Sequence, residues 1–152
     1  LSDLIINGNT LVNSSVVVKN KCLNEVGGFS EEEEVIGWED YHLWLKLAGS
    51  NFRFKKTNGE LGFCWQGGEN FDNPERVLFN ISNIKKHFNS EYSKYISLKN
   101  TWWMNYASGK AQMKMGNKKH SLTEFASVLI NRSPIIYKLK SVYFILQNII
   151  HG

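Results

Sequence analysis

Gly37-Trp38-Glu39-Asp40-Tyr41-His42-Leu43-Trp44-Leu45-Lys46-Leu47-Ala48 is the stretch around which the chain is read. On a helical period Glu39, His42 and Lys46 share one polar face, while Leu43, Trp44, Leu47 and Ala48 fall on the apolar side. The stretch therefore predicts a short helix with two carboxylates in its first turn. Asp40 sits over Leu43 and Trp44, so its carboxylate leaves the helix toward the buried side, a costly placement unless it borders a cleft. A local explanation competes with this one, because acids are favoured in a first turn by the unpaired N–H groups and the positive end of the helix dipole. His42, beside Lys46 on the polar face, reads as a solvated surface residue, and Trp38 as either a sugar-stacking platform or a core plug.

Working outward toward the N-terminus, Asn13-Ser14-Ser15-Val16-Val17-Val18-Lys19 contains three consecutive valines, which are stiff at χ1 and fit a pleated sheet. A buried β-strand is expected over Ser15 to Lys19. Lys21 to Val26 should form a single-turn helix ended by Gly27 in a left-handed cap. Glu31 to Glu34 is a run of like charges and reads as a solvated loop. On the other side, Gly49 is a natural helix stop. Phe52 and Phe54, then Leu61, Phe63 and Trp65, alternate as half-buried strands do, with Asn58-Gly59 as a hairpin signal between them. Gln66-Gly67-Gly68-Glu69-Asn70 would then be a loop emerging near the cleft.

This order of pieces resembles the C-terminal half of the catalytic domain of family-two glycosyltransferases of the GT-A fold. There a strand of small polar residues and valines leads into a short helix ending in Gly-Gly-Phe, as in Gly27-Gly28-Phe29. A mobile loop follows, then a Glu-Asp-x-x-Leu-Trp-Leu helix whose Asp is the catalytic base. The resemblance covers roughly the first half of the chain. It implies an α/β, Rossmann-like acceptor-side half over residues 1–90 and a helical extension over 91–152. The activity implied is inverting transfer of a sugar from a nucleotide-sugar donor to a hydroxyl of a saccharide or lipid-linked acceptor, as in cell-surface polysaccharide or glycoconjugate synthesis at the cytoplasmic face of a membrane. Asp40 would be the base, with Gly37, Trp38, Glu39, Trp65 and Asn70 around the acceptor. A divalent metal, Mg or Mn, is implied for the full-length enzyme, its ligands mostly outside this chain. Family members often carry a metal-site His near position 66, where this sequence has Gln66, so no metal ligand is assigned here. The nucleotide-binding half, with its Asp-x-Asp motif, is expected upstream of Leu1, and the chain alone is expected to be inactive.

Composition is consistent with a packed domain and narrows the partners. The 152 residues carry a formal charge of +4, with Lys and Arg dispersed, which argues against a nucleic-acid partner. Five Trp and nine Phe suit a core and sugar platforms equally. Cys22 and Cys64 lack neighbours at ligand spacing and read as buried thiols of a reducing, cytoplasmic compartment. Two adjacent carboxylates diverge by about 100° on a helix, so Glu39 and Asp40 cannot flank one glycosidic bond as hydrolases require.

The second half reads as helical throughout. Asn73-Pro74-Glu75 is a helix start, and Val77, Ile81, Ile84 and Phe88 continue it as one stripe. Lys99 to Met115 should be a helix ended by Gly116-Asn117. Ser121-Leu122-Thr123-Glu124 is a capping box that predicts a helix from Leu122 to Asn131. Ser133-Pro134 opens a last helix, over 135–150, with Ile136, Leu139, Val142, Tyr143, Leu146 and Ile150 on one face, suited to packing on its neighbours or to peripheral membrane contact. A non-catalytic helical interaction or scaffolding module is the competing class of function.

Overall fold

The computed structural model describes residues 1–59, 73–93 and 101–150. Among these residues every regular element is helical, which overturns the α/β expectation. The order is α1 (Ser2–Asn7), α2 (Asn20–Val26), α3 (Glu39–Gly49), α4 (Pro74–Glu91), α5 (Trp102–Lys114), α6 (Lys118–Ile130) and α7 (Ile135–Ile150), with single 3₁₀ turns at Asn13–Ser15 and Glu33–Val35. The expected strand at Ser15 to Lys19 is absent: Ser15 belongs to a 3₁₀ turn, and Val16 is extended at φ −108° and ψ 132°. Val16 and Val18 lean on the core while Val17 is 99% exposed. Valine spacing thus dictates an extended, two-faced backbone, but a strand needs a neighbour to bond with, and none lies beside it among the described residues. Phe52 to Asn58 likewise form no strand, and the second half of the expected hairpin, Leu61 to Trp65, lies outside the described residues.

α3 is the central helix. Tyr41, His42, Leu43, Trp44, Leu45 and Leu47 are all buried, so the helix is enclosed on nearly every side and its expected wet face does not exist beyond Glu39 and Lys46. It ends at Gly49, as expected, and Asn51 two residues on is left-handed at φ 62°. The Phe52 N–H reaches back to the Leu47 carbonyl at 3.1 Å and the Asn51 N–H to the Ala48 carbonyl at 3.2 Å, the bond pair that closes a helix end through a left-handed residue. α2 ends as expected at Gly27, φ 75°. α4 starts as expected, the Asn73 side chain accepting from the Arg76 N–H at 3.1 Å, and buries Ile81, Ile84 and Phe88.

α1 is fixed by its neighbours' polar atoms. The Tyr41 hydroxyl donates to the Leu4 carbonyl at 2.7 Å and the Trp103 indole to the Ile5 carbonyl at 3.1 Å. The Ile5 carbonyl is one that a helix end leaves unpaired, and the indole satisfies it, while the Leu4 carbonyl accepts from the Gly8 N–H at 2.9 Å as well as from Tyr41. Gly8 follows at φ 77°, where a Cβ would lie 2.8 Å from the Trp103 ring. α5 joins the first core through Trp103 and buried Met104.

α5, α6 and α7 form a helical layer around aromatic rings. Gly109 lets α6 approach so closely that a Cβ there would meet Phe125 at 2.9 Å. The capping box is not used as one: α6 begins at Lys118, and Ser121 lies inside it, fully buried, donating to the Gly109 carbonyl at 3.0 Å. A close helix crossing gives that hydroxyl a better partner than a cap would. α7 is held by Asn148, which donates to Ser121 Oγ at 3.2 Å, and by Phe144 stacked on Phe125 at 5.1 Å. No helix among the described residues is long and apolar enough to cross a membrane.

Candidate functional site

The first turn of α3 is built from three converging segments. Gly37, at φ 95°, is wedged against α4, where a Cβ would fall 3.0 Å from Asn80 Nδ2. Asn80 donates to the Gly37 carbonyl at 3.1 Å, which ties the entry of α3 to α4. The Glu39 carboxylate folds back onto its own helix start and accepts from the Gly37 N–H at 2.6 Å. Glu39 therefore secures the turn. Trp38 is buried, its indole donating to the Glu34 carbonyl at 2.8 Å and its ring packed on His42 and His87, so it is a core plug with no face open to a sugar.

Asp40 is half-buried, and each of its oxygens accepts one hydrogen bond. Oδ1 accepts from the Tyr41 N–H at 2.6 Å and Oδ2 from Asn9 Nδ2 at 3.2 Å. Asn9 comes from the loop after α1, and its own Oδ1 accepts from the Leu11 N–H at 3.3 Å. That second bond fixes which end of the Asn9 amide faces the carboxylate. Each Asp40 oxygen retains acceptor capacity for a hydroxyl. Asp40 and Glu39 thus serve different ends, as their divergence on the helix requires.

A second cluster lies around the turn of the same helix that the sequence reading assigned to solvent. His42, 8% exposed, and His87 of α4 meet edge to face with ring centroids 4.8 Å apart. Both border a cleft of about 530 Å³ lined also by Phe29, Glu32, Lys46, Glu91 and Tyr92. Burial, followed by the nearby His87 and Lys46 charges, pushes the His42 pKa down to about 4. Burial pushes His87 down as well, against the opposing pull of Glu91 and Glu32. Nδ1 of His42 and Nε2 of His87 are buried and have no hydrogen-bond partner among the described residues. Lys46 is directed to the Gly28 carbonyl at 3.0 Å, tying the Gly27-Gly28 turn to α3.

The structure therefore brings Gly37, Trp38, Glu39 and Asp40 to one helix start, while Trp65 and Asn70 lie outside the described residues. Asn9 and the histidine pair were missed by sequence reasoning. His87 was legible in principle, since it interrupts the Ile84–Phe88 stripe on the buried side of α4. Asn9 stands 31 residues from Asp40 and carried no local signal. Among the described residues no group of three His, Cys, Asp or Glu side chains is placed to hold a metal ion. Cys22 is a half-buried free thiol, and Cys64 lies outside the described residues. Comparison with known proteins finds no matching family model, no matching curated protein and no matching solved structure.

Proposed function

We propose that the chain is the acceptor-side part of an inverting glycosyltransferase in which Asp40 removes the proton from the acceptor hydroxyl. The observation that carries this reading is the Asp40 carboxylate itself, oriented at a helix start by Asn9 and the Tyr41 N–H and half open to solvent. The tie between the Gly27-Gly28 turn and α3 through Lys46 supports it, because it joins two of the segments on which the sequence resemblance rests. An alcohol is a weak nucleophile, and a carboxylate within hydrogen-bond reach takes its proton as the bond to the anomeric carbon forms. The departing nucleotide diphosphate leaves as an anion and needs no acid from this side. Asn9 is a positioning residue, and Glu39 and Gly37 hold the turn that aims Asp40. The reading stands on the site and the sequence resemblance, not on an α/β frame.

Steady-state transfer by the full-length protein tests it. Asp40→Asn preserves shape and most hydrogen bonding but removes basicity, so turnover should fall by about 100-fold or more, the usual scale for a positioned base. The donor KM should stay near the parent value. Transfer by Asp40→Asn at the parent rate would overturn the assignment, whatever Glu39→Gln does.

A further inference from the structure

α7 turns its apolar side outward. Ile135, Ile136, Leu139, Val142, Leu146 and Ile149 are all exposed, from 42% for Val142 to 71% for Ile135. At about 100° per residue these six span an arc of about 140°. The opposite side carries the polar Ser141 and Asn148, both buried, and the rings of Tyr137 and Phe144 that dock on α5 and α6. The orientation is therefore fixed by the docked side, through the Asn148–Ser121 hydrogen bond and the Phe144–Phe125 stack. An exposed apolar surface of this extent marks a contact that the described residues do not satisfy.

Charge decides what makes that contact. Lys138 falls about 20° beyond one edge of the apolar arc and Lys140 about 40° beyond the other. Residues 101–152 hold seven Lys and Arg against Glu124 alone, a formal +6, whereas residues 1–100 hold eleven against thirteen acids, a formal −2. No acid follows Glu124. A second copy of the chain seated on this face would bring two cationic rims together with no carboxylate on α7 to offset them. A lipid surface with anionic headgroups suits both features: acyl chains accept the arc, and the lysines flank it at headgroup level. With 16 residues, α7 is about 24 Å long, which fits a helix lying in the interface plane.

We infer that α7 is an interfacial anchor that seats the chain on anionic lipid. This stands independently of the glycosyltransferase reading. The test is co-sedimentation of the full chain with vesicles of equal phosphatidylglycerol and phosphatidylcholine, against pure phosphatidylcholine, at low and high salt. Binding should require the anionic lipid and weaken with salt. Lys138→Gln and Lys140→Gln should each lower the partition coefficient by about 5-fold. Leu139→Glu with Leu146→Glu should abolish binding while leaving the circular dichroism unchanged, because both side chains are exposed. A chain that stays in the supernatant with anionic vesicles overturns the inference. So does equal sedimentation of the double glutamate variant. A dimer in light scattering that the glutamates dissociate, with no vesicle binding, assigns the face to a second copy and overturns it as well.

Discussion

His42 is where a change in pH reaches the core. Its ring is 8% exposed, with Trp38 at 5.5 Å and His87 at 4.8 Å, and its pKa is held down to about 4, chiefly by burial and then by His87 and Lys46 against the pull of Glu91. An unfolded histidine titrates near 6.5. The folded value is the lower one, so the unfolded chain binds more protons between the two. Stability is fully present above about pH 6.5 and is lost as pH falls toward 4. At about pH 5 the full difference amounts to about 2 kcal/mol, and because the ring borders an open cleft we halve it to about 1 kcal/mol. His87 shifts in the same direction, opposed by Glu91 one turn along its own helix and by Glu32. Urea unfolding followed by tryptophan fluorescence at about pH 7 and about pH 5 measures the difference. The parent should lose about 1 kcal/mol or somewhat more on acidification, His42→Gln less, and the His42→Gln/His87→Gln pair least of all. The readout is the pH difference within each variant, so a general cost of either substitution does not obscure it. A parent whose stability is flat over this range, or a double variant as pH-sensitive as the parent, would refute the reasoning.

Two further outcomes follow from close packing. Gly109→Ala places a Cβ 2.9 Å from the Phe125 ring, so it should destabilise by about 1–3 kcal/mol in thermal or urea unfolding, and Phe125→Leu in the same chain should recover part of that loss by giving the methyl room. Tyr41→Phe removes the hydroxyl that donates to the Leu4 carbonyl at 2.7 Å, and should cost about 1–2 kcal/mol with amide exchange accelerating in α1 before the rest of the chain.

Local chemistry was readable where it was self-contained. Asn73-Pro74 starts α4 and Gly27 ends α2 because a cap needs only the few residues around it. The apolar stripe Ile81, Ile84 and Phe88 was legible for the same reason. The valines at 16–18 show the limit: their two-faced extended backbone is present, but a sheet depends on a partner that local sequence does not name. Ser121 fails differently, since a hydroxyl that resembles a cap found a carbonyl across the α5–α6 crossing. His42 was misplaced because a helical wheel presumes one wet face, whereas α3 is covered on several sides by α1, α2 and α4. Of the candidate site, Asp40 and its helix start were legible, while Asn9 and His87 are close to α3 only in the folded chain.

The carboxylate and the apolar face of α7 are linked by an unbroken series of packed groups. Asn9, which orients Asp40, follows Gly8, and Gly8 lies under the Trp103 ring at the start of α5. Further along α5, Gly109 receives Phe125 of α6, and Phe125 stacks on Phe144 of α7. Beyond the Asn9–Asp40 hydrogen bond, each joint is a glycine packed under a ring or a ring against a ring, which leaves little freedom between Gly8 and α7. If α7 rests on lipid, Asp40 sits at a set distance and tilt from the headgroups, and an acceptor hydroxyl carried on a lipid can be met without searching in three dimensions. The two proposals are independent: loss of vesicle binding leaves the role of Asp40 intact, and an active Asp40→Asn variant leaves the inference about α7 standing.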